Sequence, residues 1–487
     1  LNTIMEKGVN RLLQDLLPAV ENGLLISSFD YHIIDEEKDA YEIATFKFLH
    51  DRIQQAVFEM IDHDWRKEIH LQLGRNKIRY TDPKKLEDEI FEIVRHLNIS
   101  AELIQNQDER CQVAEFNLIA SRQAKQSAAF EHAFQYAKAG LALLRHDAWK
   151  THYDLTLSLY TEALQTAYLN VDLDEIEILF GHVIKNSRNF LDQVSAYKSR
   201  IQAYLAQNRL MEAINTGFEI LKLLGIDFPE HPDMKDIQAA YEESRSLLKK
   251  KTIEDLVQMP KMTDPIKKAT LKLLSDICVP IYFSRPSFLP LMIFKAVALS
   301  VFHGNLPESS FIYSVYGLIL SGLYADIDTG YQFGKLGMKL AEKKDYKEFR
   351  CKNIEIFNVH IRHNKEHIRE TLDPLLAGYQ IGMETGDFQF ANFCVFNRCS
   401  HAYLLGQDLA FVEKEMNRFS QAINQNRQVT VLHFHSIFQQ AVLNLRGTKG
   451  DPHILVGDVY DERIMLARHQ QAKDRHALNY FYLNKMI

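Results

Sequence analysis

Cysteine is scarce in this chain, and what there is lies scattered. Cys111, Cys278, Cys351, Cys394 and Cys399 are an odd set without a CxxC pair. That excludes a disulfide framework and fits a reducing compartment, so the cytoplasm is expected. An excess of one charge is also missing. The net charge is −7 over 487 residues and the basic residues are dispersed, so no electrostatic footprint for nucleic acid exists. No unbroken apolar run reaches the ~18 residues a membrane span needs. The nearest, "ICVPIYFSRPSFLPLMIFKAVALSVF" at 277 to 302, is cut by Arg285, Lys295 and three prolines and reads as a hydrophobic hinge of a soluble domain. No secretory leader pattern opens the chain. It begins at Leu1 and ends in the helix-like "ALNYFYLNKMI", so flanking sequence is expected on both sides.

Glycine and proline are few, 20 and 12, and they cluster at "GIDFPEHPD" (225 to 233), "QMPKMTDP" (258 to 265), "HGNLPESS" (303 to 310) and "RGTKGDPHILVG" (446 to 457). Between these breaks apolar residues recur at helical spacing. "AYLNVDLDEIEILFGHVIKNSR" and "AYLAQNRLMEAINTGFEILKLLG" align at an offset of about 36 residues, near the tetratricopeptide period, with Tyr168 on Tyr204 and Asp172 on Asn208. A third unit, "GLYADIDTGYQFGKLGMKLAEK", sets Gly330, Gly334 and Gly337 on one helix face. Glycine weakens a helix, so three in a stripe predict close contact with a neighbour. A fourth unit is "LLAGYQIGMETGDFQFANFCVF". The expected fold class is therefore mostly α: a TPR-like α-solenoid of helical hairpins, about ten to twelve pairs if all units are of repeat length.

The first 80 residues differ. A leucine-striped helix, the β-rich strings "LISSFDYHI" and "YEIATFKFL", and then "HDRIQQAVFEMI" follow the plan of a winged helix (α with a β-hairpin). Ile53, Ala56, Val57, Met60 and Ile61 would form the core face of its last helix. Asp62 or Asp64 would cap the next helix, with Trp65, Ile69 and Leu73 as its buried stripe. The expected domains are 1–80 (winged helix), 81–230 (helical repeats), 231–310 (a helical region with Pro-rich breaks) and 311–487 (helical repeats again).

Motifs with catalytic spacing are lacking. There is no GxxxxGK[ST], no GxGxxG, no GxSxG and no HExxH. "GYQFGK" at 330 to 335 is one residue short of a phosphate loop and lies within a helix. His-Asp pairs at 50–51, 63–64 and 146–147 suggest a helical HD-type metal phosphohydrolase, but that site needs a further His and Asp converging on one metal. His360, His363 and His367 share a helix face without a fourth ligand, so a polar stripe is expected there and no metal site. His433 and His435 fall on different sides of their element. No catalytic residue is assigned.

"FKFLHDRIQQAVFEMI…HLQLGR", with the blocks "AEFNLIASRQAKQSAAFEHAFQYAKAGLALL", "GNLPESSFIYSVYGLIL", "RHNKEHIRETLDPLLAGYQIGMETGDFQFANF" and "DERIMLARHQQAKDRHALNYFYLNKM", resembles the segment that follows the AAA/STAND ATPase domain of large bacterial multi-domain (Ser/Thr kinase–ATPase–GAF) sensor histidine kinases. The resemblance covers nearly all of the chain. It implies an upstream ATPase domain using ATP/ADP and Mg, a downstream sensor and kinase, and no cofactor in this chain itself. Leu49-His50-Asp51 resembles the Met-His-Asp signature of that class, with leucine for methionine. His50 is thereby implied as a contact to the ADP phosphate, made only together with the upstream domain. The expected role is a non-catalytic regulatory and interaction segment in a two-component system, relaying a nucleotide switch to output domains through protein partners or self-association. The alternative is the inducer-binding arm of an ATP-dependent STAND transcription regulator.

Overall fold

The computed structural model describes residues 9–27, 46–170, 172–426, 428–447 and 451–487. The chain forms two compact units, Leu1–Arg188 and Asn189–Ile487. The division falls inside the stretch 81–230 that the sequence presents as one block of repeats. There the helix Leu173–Asn186 ends at extended Ser187, and Asn189 caps the next helix with its own side chain.

Both units are built of TPR-like helical hairpins, and the corners share one geometry. Ala128, Asn208, Ala325 and Lys473 turn the chain at φ of 53 to 57°, and Gly386 and Gly406 do so at 78° and 68°. Left-handed backbone costs a residue with a Cβ roughly 1 kcal/mol. It persists because it lets an N–H reach back five residues to a carbonyl that the helix end leaves open. Ala129 N–H donates to Ala124 O (2.9 Å), Arg209 to Tyr204 O (2.9 Å), Gln407 to Ala402 O (3.2 Å) and Asp474 to His469 O (2.9 Å). An aspartate then opens the following helix. Asp326, Asp387, Asp408 and Asp474 each accept from the N–H three residues on. The aligned residues Asp172 and Asn208 have different jobs: Asp172 is a cap, Asn208 the left-handed corner.

In the first unit the core is formed by Leu71, Ile90, Ile93, Val94, Leu97, Val113, Phe116 and Leu159, among others. Gly74 of helix His63–Tyr80 admits the Leu97 side chain, which a Cβ would meet at 2.5 Å. This corrects the expected stripe: Leu71 and Gly74 are buried, whereas Trp65 is 50% exposed. Asp62 is the cap, accepting from Asp64 N–H. Strand β1 (Leu25–Ser27) pairs antiparallel with β2 (Phe46–Phe48), and helix Asp51–Met60 follows. The expected core face of that helix is not buried: none of its residues is, and Met60 is 85% exposed. The rest of the expected hairpin, 28–45, and residues 1–8 lie outside the described residues.

In the second unit the hydrophobic stretch 277–302 becomes helix Cys278–Ser284, a short 3-10 turn Pro286–Phe288 and helix Leu289–His303. The window Pro286–His303 is long and apolar enough to cross a membrane, but 56% of it is buried inside the protein, as in a core helix. Two of the sequence breaks meet: Asn305 N–H donates to Pro260 O (2.8 Å) and Met262 N–H to Asn305 O (3.0 Å). The expected glycine contact is present. Helix Ile327–Ala341 lies so close to Pro307–Leu323 that a Cβ on Gly330 would come within 2.7 Å of Gly317 O, and one on Gly337 within 2.6 Å of Ser310 O. Ser314 Oγ donates to Asn353 Oδ1 (2.6 Å) and Asn353 Nδ2 donates to Ser310 Oγ (3.0 Å) along this seam.

Gly337→Ala is expected to destabilise by about 1–3 kcal/mol, because backbone must move to admit the methyl group. Gly181, whose Cβ would meet nothing within 4 Å, is the control: Gly181→Ala should stabilise by roughly 0.4–1 kcal/mol. Urea unfolding of both variants checks the pair, and equal effects would contradict the close seam.

Candidate functional site

The second unit holds a pocket of about 660 Å³, counting the space at its mouth. Its position follows from helix Pro307–Leu323. Ser310, Ser314, Gly317 and Ser321 point one way, into the glycine seam. Phe311, Val315 and Leu318, one residue on at each step, line the pocket. Helix Cys278–Ser284 adds Tyr282 and Phe283, helix Phe388–Leu404 adds Phe390, Phe393 and Asn397, and Phe434, His476 and Tyr480 close it from the C-terminal helices. The rings support one another: Phe283 stacks on Phe393 (6.1 Å), and Phe434 meets Tyr480 edge-on (5.3 Å).

Two polar groups sit side by side in this apolar wall. Glu355 belongs to the short helix Arg350–Ile356, and His360 to the π turn Phe357–Ile361 that continues it. Residues five apart in an α-helix lie about 140° round its axis, so a regular helix would separate them. The i→i+5 turn brings His360 Nε2 to 3.9 Å from Glu355 Oε1. Asn397 Nδ2 donates to the same oxygen at 3.3 Å. Burial, helped by the negative Asp387, pushes the Glu355 carboxyl up to about 8. Burial, helped by His363, His401 and His476, pulls the His360 imidazole down to about 4. Both are therefore neutral near pH 7. Cys278 lines the pocket too, and burial pushes its thiol up to about 12, leaving it protonated and a poor nucleophile. A mostly aromatic pocket with a few convergent polar groups has the chemistry of a binding site.

Of the histidines singled out in the sequence, His360 alone lines this pocket. His363 and His367 are exposed, and His367 Nδ1 accepts from Arg369 N–H (3.1 Å), capping its own turn. His435 is buried with Nε2 2.9 Å from Met416 O, and His433 faces His469 instead. His50 is the exposed N-cap residue of helix Asp51–Met60, and its side chain makes no capping hydrogen bond. The His-Asp pairs at 63–64 and 146–147 stay at separate helix starts. Among the described residues no group of three or more His, Cys, Asp or Glu is gathered as a metal would require. The joint after His50 is fastened by Arg66, which donates to Ile61 O (2.7 Å) and Glu59 O (3.1 Å) and covers the Phe58 ring; the expected packing role of Trp65 is not met. Glu355, Asn397 and His476 escaped the sequence reading, although a lone carboxylate inside "NIEIFNV" was a visible sign.

No family model matches the chain. A curated protein similar to it is hybrid signal transduction histidine kinase G of Dictyostelium discoideum, 25% identical over 448 residues, with 83% of this chain and 13% of that protein covered. The chain thus spans about an eighth of that relative's length. Among solved structures, a STAND protein with a tetratricopeptide repeat sensor from Pyrococcus horikoshii aligns with 98% of this chain and 62% of its own, at 12% identity and a TM-score of 0.42.

Glu355 and His360 act on stability in opposite senses. The folded carboxyl holds its proton up to about 8 against an ordinary value near 4.3 when unfolded. Its contribution is full below that lower value and is lost as pH rises through 8. The imidazole, down at about 4, contributes fully above about 6.5 and loses that contribution as pH falls through 4. Between about 4.3 and 6.5 the two slopes oppose each other. Between pH 6.5 and 8 Glu355 acts without that opposition, with a slope of up to about 1.4 kcal/mol per pH unit. Glu355→Gln is expected to flatten the decline in this window. Denaturant titrations at pH 6.5 and 8 measure it, and identical declines in both proteins would refute the assignment.

Proposed function

We propose that the chain is a regulatory segment of a multi-domain signalling protein, relaying a nucleotide switch from an upstream STAND ATPase domain to output domains such as a sensor histidine kinase. The observation that carries this is the likeness of 83% of the chain to part of a signal transduction histidine kinase. Stacked helical hairpins suit the task because each repeat leans on its neighbours and presents extended surface to protein partners or to a second copy. In this reading residues 1–80 are the winged-helix end of the ATPase switch. His50, exposed at a helix start, donates to the ADP phosphate when the upstream domain closes on it. The nucleotide and its Mg belong to that upstream domain, and the chain itself makes and breaks no covalent bonds. The setting is cytoplasmic, and bacterial parentage belongs to this proposal as well.

A second reading has one observation in its favour, the pocket in the second unit. Inducer-binding arms of ATP-dependent transcription regulators need such a cavity. A DNA-binding helix-turn-helix encoded downstream would select this reading, and a sensor and kinase core the first.

In the full-length parent, His50→Ala should weaken ADP binding about tenfold or more, the loss of one hydrogen bond to a charged group. His63→Ala, at a residue that is also exposed, should leave it unchanged. Calorimetric titration with ADP measures both. Equal affinities in wild type and His50→Ala would remove the switch assignment.

A further inference from the structure

The pocket of the second unit fits one chemical class of ligand better than others. Seven aromatic side chains line it: Tyr282, Phe283, Phe311, Phe390, Phe393, Phe434 and Tyr480. No lysine or arginine is among the lining residues, so an anion would find no counter-charge. The acidic group on the wall is Glu355, 5% exposed. Asn397 Nδ2 donates to its Oε1 at 3.3 Å, and the imidazole 3.9 Å from that oxygen is neutral. A buried carboxyl with no cation beside it in the lining is costly to ionise and is kept where a charged guest completes it. The aromatic faces accept positive charge already: Lys352 Nζ lies 5.8 Å from the Phe311 centroid and 5.4 Å from that of Phe390, with Asp387 as its counter-ion at 3.9 Å.

We infer that this pocket binds an organic ammonium cation with an apolar body, its charge held between the aromatic faces and the Glu355 carboxylate. The proposal deepens the sensor reading by naming the class of signal, but the site itself stands on the pocket alone. As the cation enters, Glu355 gives up one proton to solvent, which leaves the bound pair neutral overall. The groups facing Glu355 do not compete for that role. His360 is neutral, Tyr282 and Tyr480 are pushed up by burial, Cys394 likewise, and His476 is lowered. Asp387, the remaining neighbour, is itself raised by burial. A cation is the one kind of guest that turns a costly carboxyl into an ion pair.

The experiment titrates the 487-residue chain with benzyltrimethylammonium and with neopentylbenzene, its uncharged carbon isostere, by calorimetry at pH 7 in two buffers of different ionisation enthalpy. The cation should bind at least tenfold more tightly than the isostere and release close to one proton. Glu355→Gln keeps the size of the side chain and the acceptor for Asn397, and it should erase both the preference and the proton release. Phe393→Leu should weaken the cation at least threefold, and it decides the matter if Glu355→Gln does not fold. Equal affinity for the two probes, no binding of the cation, or cation binding unchanged in a folded Glu355→Gln would overturn the proposal. If the cation binds as described but the output of the full-length parent ignores it, the sensor reading fails and the site remains.

Discussion

Helix Pro307–Leu323 carries the arrangement of the second unit, because it must satisfy two unlike neighbours on adjacent faces. Its small face, Ser310, Ser314, Gly317 and Ser321, allows backbone to approach backbone against the glycine helix. Its large face, Phe311, Val315 and Leu318, is thereby held out as one wall of the pocket. Close packing of this kind has little slack, since interiors are as dense as organic crystals. Gly334 ties the two functions together: a Cβ there would strike Phe357 at 2.6 Å and Ile361 at 3.0 Å, both in the π turn that sets His360 over Glu355. The seam therefore fixes the pocket geometry from behind.

Most polar groups along the seam follow one rule. Ser310, Ser314 and Asn353 of the seam are paired with each other or with backbone carbonyls, as burial demands, whereas the Ser321 hydroxyl is buried without a partner among the described residues. Glu355 departs from that rule, resting as an uncharged acid among aromatic rings. Such a group adds little to stability and constrains the sequence. Its persistence in an apolar wall is easier to understand as part of a binding surface than as part of a core.

Much of the fold is legible in the sequence because it is local. Helical periodicity, clustered breaks and the Gly330–Gly334–Gly337 stripe each depend on residues within a few turns of one another, and each corresponds to what the structure contains. The stripe through Trp65 is not the buried one because spacing alone does not tell which way a helix is turned; Gly74 and Leu97 decide that, and their contact is long-range. Helix Asp51–Met60 is amphipathic by pattern, yet it buries none of its residues. The pocket was illegible for a stronger reason. Its lining is drawn from Cys278 to Tyr480, a few residues from each of several helices, and no window of sequence contains it. His360 caught attention only as one of three histidines, and its true neighbour, Glu355, stands five residues before it, a spacing that ordinary helical reasoning discards.

That spacing has a consequence for how the segment can vary. A π turn is a helix with one residue too many, and everything after it is rotated by that surplus. Shortening this loop of backbone by a single amino acid would restore regular coiling and turn the imidazole away from the acid, with the downstream hairpins carried round too. Length here is therefore as constrained as chemistry. Chains built on the same plan should tolerate substitutions along 357–361 far more readily than a change in their number.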